Sequence, residues 1–136
     1  MTSTMDKKVI LVVEDERALA EAIKAKLTKT GFDVVTARAV TQALQYLIEG
    51  VAIDAIWLDH YLLGKENGLD LIAKVKEDGS KWKSVPIFVV SNTVSPDKVQ
   101  AYLHLGATKY YTKSNFRLDE IIGDICKVLD SVCHQD

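Results

Sequence analysis

Two hydrophobic patterns take turns along these 136 residues, and their alternation constrains the fold more than any other feature. Short runs rich in β-branched residues, Val9–Val13, Asp33–Thr36, Ala55–Leu58, Ile87–Val90 and Tyr110–Thr112, have the length and composition of strands. The first, third and fourth are apolar without a break, as strands are when both faces of a parallel sheet are covered by helices. Between and after them the apolar positions recur with helical period. Leu19, Ile23 and Leu27 form the first such set, Ala39, Ala43, Leu44 and Leu47 the second, and Leu69, Ile72 and Ala73, continued by Lys76, the third. Val99, Tyr102 and Leu103 follow, then Leu118, Ile121, Ile122, Ile125, Leu129 and Val132.

Gly31 stands where the first helix should stop, Pro96 opens the fourth helix after Ser95, and Gly106 ends it. The chain therefore reads as five β-α units joined by short connections. Five units favour a doubly wound α/β sheet, since a (β/α)₈ barrel needs roughly 200 residues or more. One domain spanning residues 1–136, with its core at about 7–132, is the expectation, and a hydrophobic content of 48% is enough to build that core.

Charge and composition exclude several functions. The 17 basic and 19 acidic residues nearly cancel and form no basic stripe, so direct nucleic-acid binding is not expected. No apolar stretch approaches the roughly 18 residues of a membrane span. The polar segment from Met1 to Lys8 lacks the apolar core of a secretory signal, which points to the cytoplasm. Cys126 and Cys133, seven positions apart on what reads as one helix, would be separated by about 10 Å of axial rise, so free thiols are expected.

In doubly wound sheets, ligands bind outside the carboxyl ends of the strands. Those positions hold Glu14 and Asp15 after strand one, Asp59 after strand three, Ser91 after strand four and Lys113 after strand five. An acidic residue after a strand is, taken singly, ordinarily a turn or cap residue. Three carboxylates brought together repel one another and raise each other's pKa, so the group wants a cation. Mg²⁺ fits best, because it takes oxygen ligands and combines one or two carboxylates with phosphate oxygens. Lys113 and Ser91 can hold phosphoryl oxygens, which suits Asp59 to nucleophilic attack on phosphorus. Zinc has little support from the scattered His60, His104 and His134, and His60 is expected to leave the strand as a solvated loop residue.

Val-Ile-Leu-Val-Val-Glu-Asp-Glu at 9–16, Ile-Trp-Leu-Asp at 56–59, Ile-Phe-Val-Val-Ser at 87–91 and Gly-Ala-Thr-Lys-Tyr-Tyr-Thr-Lys at 106–113 resemble the receiver domains of two-component response regulators. The resemblance covers nearly the whole chain. It implies a flavodoxin-like five-stranded parallel sheet of order 2-1-3-4-5 with five helices, and it makes Asp59 the acceptor of phosphate from a histidine kinase or phosphotransfer protein. Glu14, Asp15, Asp59 and the backbone carbonyl of Tyr61 would surround Mg²⁺, and Ser91 and Lys113 would hold the phosphoryl group. Tyr110, three positions before the lysine, would be the switch residue that reshapes the surface of helix four, strand five and helix five for a downstream protein target. The domain would catalyse its own phosphorylation and dephosphorylation without being a turnover enzyme.

The chain departs from the family pattern in three places. Ser114 replaces the usual cis proline, and a trans Lys113–Ser114 bond is expected because a non-proline cis bond costs roughly 3 kcal/mol. Leu62-Leu63 stands where Leu-Pro is usual, and Gly68 falls nine positions after Asp59 instead of eight, so one extra residue sits in 64–67. Asn92 and Thr93 follow Ser91 where a small residue is common.

The main rival is a receiver-like module that binds a partner without phosphorylation; retention of Asp59 and Lys113 argues against it. A flavin or nucleotide binder would need a Gly- or Ser-rich loop where Glu14-Asp15-Glu16-Arg17 stands. An aspartate phosphatase would need a cap domain. Because the chain ends soon after helix five, it reads as either a stand-alone regulator or a receiver excised from a larger protein.

Overall fold

The computed structural model describes residues 7–92 and 95–130. Five strands, β1 (Val9–Val13), β2 (Asp33–Ala37), β3 (Ala55–Leu58), β4 (Ile87–Ser91) and β5 (Lys109–Thr112), alternate with five helices. The helices are α1 (Arg17–Thr30), α2 (Val40–Ile48), α3 (Gly68–Lys76), α4 (Pro96–Leu105) and α5 (Leu118–Val128). All pairings are parallel and the strand order is β2-β1-β3-β4-β5, the doubly wound order expected.

Period-two alternation along the strands divides the interior into two cores. Leu11, Val13, Ile56, Leu58, Ile87 and Val89 face α2, α3 and α4, where they meet Ala43, Leu47, Leu71, Ile72 and Tyr102. Their neighbours Ile10, Val12, Trp57, Phe88 and Val90 face α1 and α5 and meet Ile23, Leu27, Ile121, Ile122 and Ile125. Every residue of β3 is buried on one face or the other, which accounts for its unbroken apolar run. Each such aliphatic side chain stabilises the fold by about 1.5–3 kcal/mol relative to exposure.

The helix punctuation matches the sequence. Gly31 takes a left-handed φ of 119° and its N–H donates to the carbonyls of Leu27 and Thr28, while Gly106 ends α4 at φ 113°. The Ser95 hydroxyl accepts from the Lys98 N–H at 3.3 Å, with Pro96 in the first turn.

Two expectations fail. Cys126 is disulfide-bonded, not a free thiol. Axial rise keeps two cysteines apart only along one straight helix, whereas α5 stops at Val128 and Asp130 takes a left-handed φ of 53°. Cys133, Val132 and His134 lie outside the described residues, as does Thr93. The second failure concerns His60, which is 2% exposed and not a solvated loop residue.

Among the described residues no helix is long and apolar enough to cross a membrane.

Candidate functional site

Register builds the site. Val13 pairs with Leu58 across β1 and β3, so the next residue on each strand, Glu14 and Asp59, emerges side by side at the carboxyl edge of the sheet. Main-chain bonds hold both in place, from the Asp59 N–H to the Val13 carbonyl at 3.0 Å and from the Glu14 N–H to the Ala37 carbonyl at 2.9 Å. Asp15 follows, half-buried, with its carbonyl accepting from Arg38 Nε at 3.0 Å. Carboxylate oxygens of Glu14, Asp15 and Asp59 lie within 4.8 Å of one another.

Lys113, at the start of a 3₁₀ turn spanning Lys113–Asn115, reaches back into this cluster. Its Nζ lies 3.1 Å from Glu14 Oε1 and 3.4 Å from Asp59 Oδ2. Two carboxylates only 1% and 4% exposed thus share one cation. Burial first, and the charge of Asp59 second, push the Glu14 carboxyl up to about 7, against the N–H of Glu16 and the charge of Lys113. Burial works against a charged Lys113, but the charges of Asp59 and Glu14, with hydrogen bonds to both, outweigh it and raise its pKa.

This electrostatic imbalance, together with an all-oxygen donor set, fits a hard divalent cation such as Mg²⁺. It does not fit zinc, because the His60 ring is turned away to the Tyr102 hydroxyl at 2.6 Å.

Ser91 is fully buried at the end of β4, paired in register with Thr112, and its hydroxyl donates to the Asn92 carbonyl at 3.4 Å. Tyr110 is half-buried on β5, its ring centroid 5.9 Å from that of Tyr102. Tyr61 has its side chain half-exposed in the loop after β3, with its ring edge-on to His60 at 4.8 Å.

The departures from the family pattern have local explanations. The peptide bonds are trans throughout the described residues, Lys113–Ser114 included. Ser114 keeps the N–H a proline would lack and donates it to Asn92 Oδ1 at 3.1 Å, so two unusual residues hold each other beside Lys113. The extra residue in 64–67 delivers Asn67 as the cap of α3, its side chain accepting from the N–H groups of Leu69 and Asp70 while Asp70 accepts from the Asn67 N–H at 2.8 Å. Gly68 then begins the helix so close to β3 that a Cβ there would run into the Tyr102 hydroxyl and lie 2.7 Å from the Asp59 carbonyl.

Sequence reasoning missed His60 and Tyr102. Helical spacing places Tyr102 among the apolar positions of α4 but assigns it no contact; at 0% exposure it is core. Burial and the charge of Lys98 lower the His60 pKa, and burial above all raises that of Tyr102, so the pair is neutral at neutral pH.

Comparison with known proteins agrees with the geometry. The family model of the response regulator receiver domain matches residues 10–125. The chain is 38% identical over 116 residues to the transcriptional regulatory protein DltR of Streptococcus agalactiae, covering 85% of this chain and 49% of that one. It is 35% identical over 115 residues to the transcriptional regulatory protein KdpE of Mycobacterium tuberculosis, covering 84% and 47%. It thus spans about half the length of these relatives. Among solved structures, a response regulator receiver protein from Pseudomonas putida superposes with a TM-score of 0.81 at 26% identity, over 89% of this chain and 97% of that one. The phosphorylated cyanobacterial phytochrome response regulator RcpA superposes with a TM-score of 0.78 at 27% identity, over 95% and 99%.

Proposed function

The chain belongs to the response regulator receiver-domain family of two-component signal transduction, and from that premise we propose that Asp59 is its phosphoacceptor. The observation that carries this reading is the pairing of Lys113 with both Asp59 and Glu14 at the carboxyl edge of the sheet. An Asp59 carboxylate oxygen attacks the phosphorus of a phosphohistidine; the new O–P bond forms as the P–N bond breaks, and the imidazole leaves with the bond's electron pair and is protonated by solvent.

Lys113 balances charge on the transferring oxygens, and the Ser91 hydroxyl turns from the Asn92 carbonyl to a phosphoryl oxygen. Glu14, Asp15, Asp59 and the Tyr61 carbonyl would hold Mg²⁺, which supplies charge neutralisation to the phosphoryl oxygens when bound. Tyr110 follows Ser91 inward and changes the surface of α4, β5 and α5, which a downstream protein reads.

The phosphodonor is a histidine kinase or phosphotransfer protein. The cytoplasm is the compartment where such a donor meets a receiver. Residues 1–136 act as one receiver unit that binds protein partners, not DNA, through this switch.

Beryllofluoride with Mg²⁺, a mimic of the bound phosphoryl group, is expected to shift the amide resonances around Asp59, Ser91 and Tyr110, and Asp59→Asn to abolish the shifts. If the wild-type protein binds neither at millimolar levels, the phosphoacceptor reading fails and the phosphorylation-independent partner-binding module replaces it.

A further inference from the structure

Resting on Asp59 as the phosphoacceptor, we propose that Tyr102 of α4 is a positioning residue for it, acting through His60. His60 follows Asp59 directly, and three of its polar groups are engaged toward the site and α4. The main-chain N–H donates to Asp59 Oδ1 at 2.8 Å, which leaves Oδ2 as the oxygen that faces Lys113. The carbonyl accepts from the Gly68 N–H at 3.0 Å. The ring nitrogen Nδ1 meets the Tyr102 hydroxyl at 2.6 Å in a buried contact, with the two rings edge-to-face at 5.7 Å.

The 59–60 peptide sets the aim of Asp59. Its plane is free to rock only if the His60 side chain can move, and a ring 2% exposed, tied to a tyrosine 0% exposed, cannot. Gly68 makes this arrangement possible, since any side chain there would displace the Tyr102 hydroxyl. The Tyr102 ring also lies tilted against that of Tyr110, 5.9 Å between centroids, so one residue joins the acceptor carboxylate to the strand that carries the switch residue.

The test uses the full chain, with beryllofluoride affinity at saturating Mg²⁺ read by ¹⁹F NMR and thermal unfolding measured alongside. Tyr102→Phe keeps the ring and removes only the bond; affinity is expected to fall about tenfold, the order of one buried hydrogen bond. His60→Leu should cost the same, and the double variant no more than either single one. His60→Asn, whose side-chain amide can stand near the position of Nδ1, should recover most of the affinity.

A residue that only fills space would shift the unfolding midpoint while leaving affinity unchanged, so His60→Leu and His60→Asn would bind alike. Unchanged affinity in Tyr102→Phe, or losses that multiply in the double variant, overturns the proposal while the phosphoacceptor reading stands. Absence of beryllofluoride binding in the wild type overturns that reading instead. Should Tyr102→Phe not fold, the contrast between His60→Leu and His60→Asn decides: equal affinities reject the proposal.

Discussion

The N–H of Ser114 donates to the side-chain oxygen of Asn92 at 3.1 Å, tying the turn after β5 to the end of β4. Lys113 and Ser91, the two residues that would hold the phosphoryl group, are the immediate neighbours of this pair. Asn92→Ala leaves the Ser114 N–H to solvent, so a stability loss of only about 0.5–1.5 kcal/mol is expected in urea unfolding. Phosphorylation by acetyl phosphate should slow as the Lys113 turn loosens. Ser114→Pro removes the same donor and should reproduce the kinetic effect.

Lys113 separates two buried carboxylates. Lys113→Met should destabilise the metal-free protein by about 1–3 kcal/mol at pH 8, where Glu14 and Asp59 are left without their shared cation. Mg²⁺ should restore part of the loss. Urea titrations with EDTA and with Mg²⁺ compare the two conditions.

Glu14 makes both stability and metal binding depend on pH. Its folded pKa, about 7, lies above its ordinary 4.5, so folding favours the protonated form. The stabilisation it contributes to the metal-free protein is full below 4.5 and is lost as the pH rises through about 7. Mg²⁺ needs the ionised form, so its apparent affinity should drop about tenfold per pH unit below the Glu14 pKa and level off above it. Calorimetric Mg²⁺ titrations between pH 5.5 and 8.5, chosen to span about a unit and a half on either side of that pKa, read this directly. In Asp59→Asn the transition should move to lower pH, because the second cause of the shift is gone.

Gly68→Ala tests the close approach of α3 to β3. The position has no left-handed φ, so the cost comes from the added methyl meeting the Tyr102 hydroxyl and the Asp59 carbonyl. A destabilisation of about 1–3 kcal/mol is expected by thermal or urea unfolding. The site should also bind beryllofluoride less tightly, since Asp59 is one of the atoms' owners displaced.

The sequence by itself determined the sheet and the acidic edge. The unbroken apolar runs of β1, β3 and β4 could be satisfied only between two helical layers, and period two then assigned Leu11 and Val12 to opposite cores. Gly31, Ser95, Pro96 and Gly106 carried their helix boundaries in their own backbone chemistry. Glu14, Asp59 and Lys113 were legible because parallel strands bring all their carboxyl ends to one edge.

Tertiary structure alone decided what those residues touch. His60 was misread because its burial depends on Tyr102, 42 positions away on α4. Likewise the Asn92–Ser114 bond and the fit of Gly68 under Tyr102 join elements with no local sequence relation. The Cys126 bond escaped notice because the helix was assumed to continue where Asp130 turns left-handed. Periodicity reports which face of an element is buried, a property of neighbours a few residues apart; the partner on that face is set by how separate helices and strands pack, and so is the aim of Asp59.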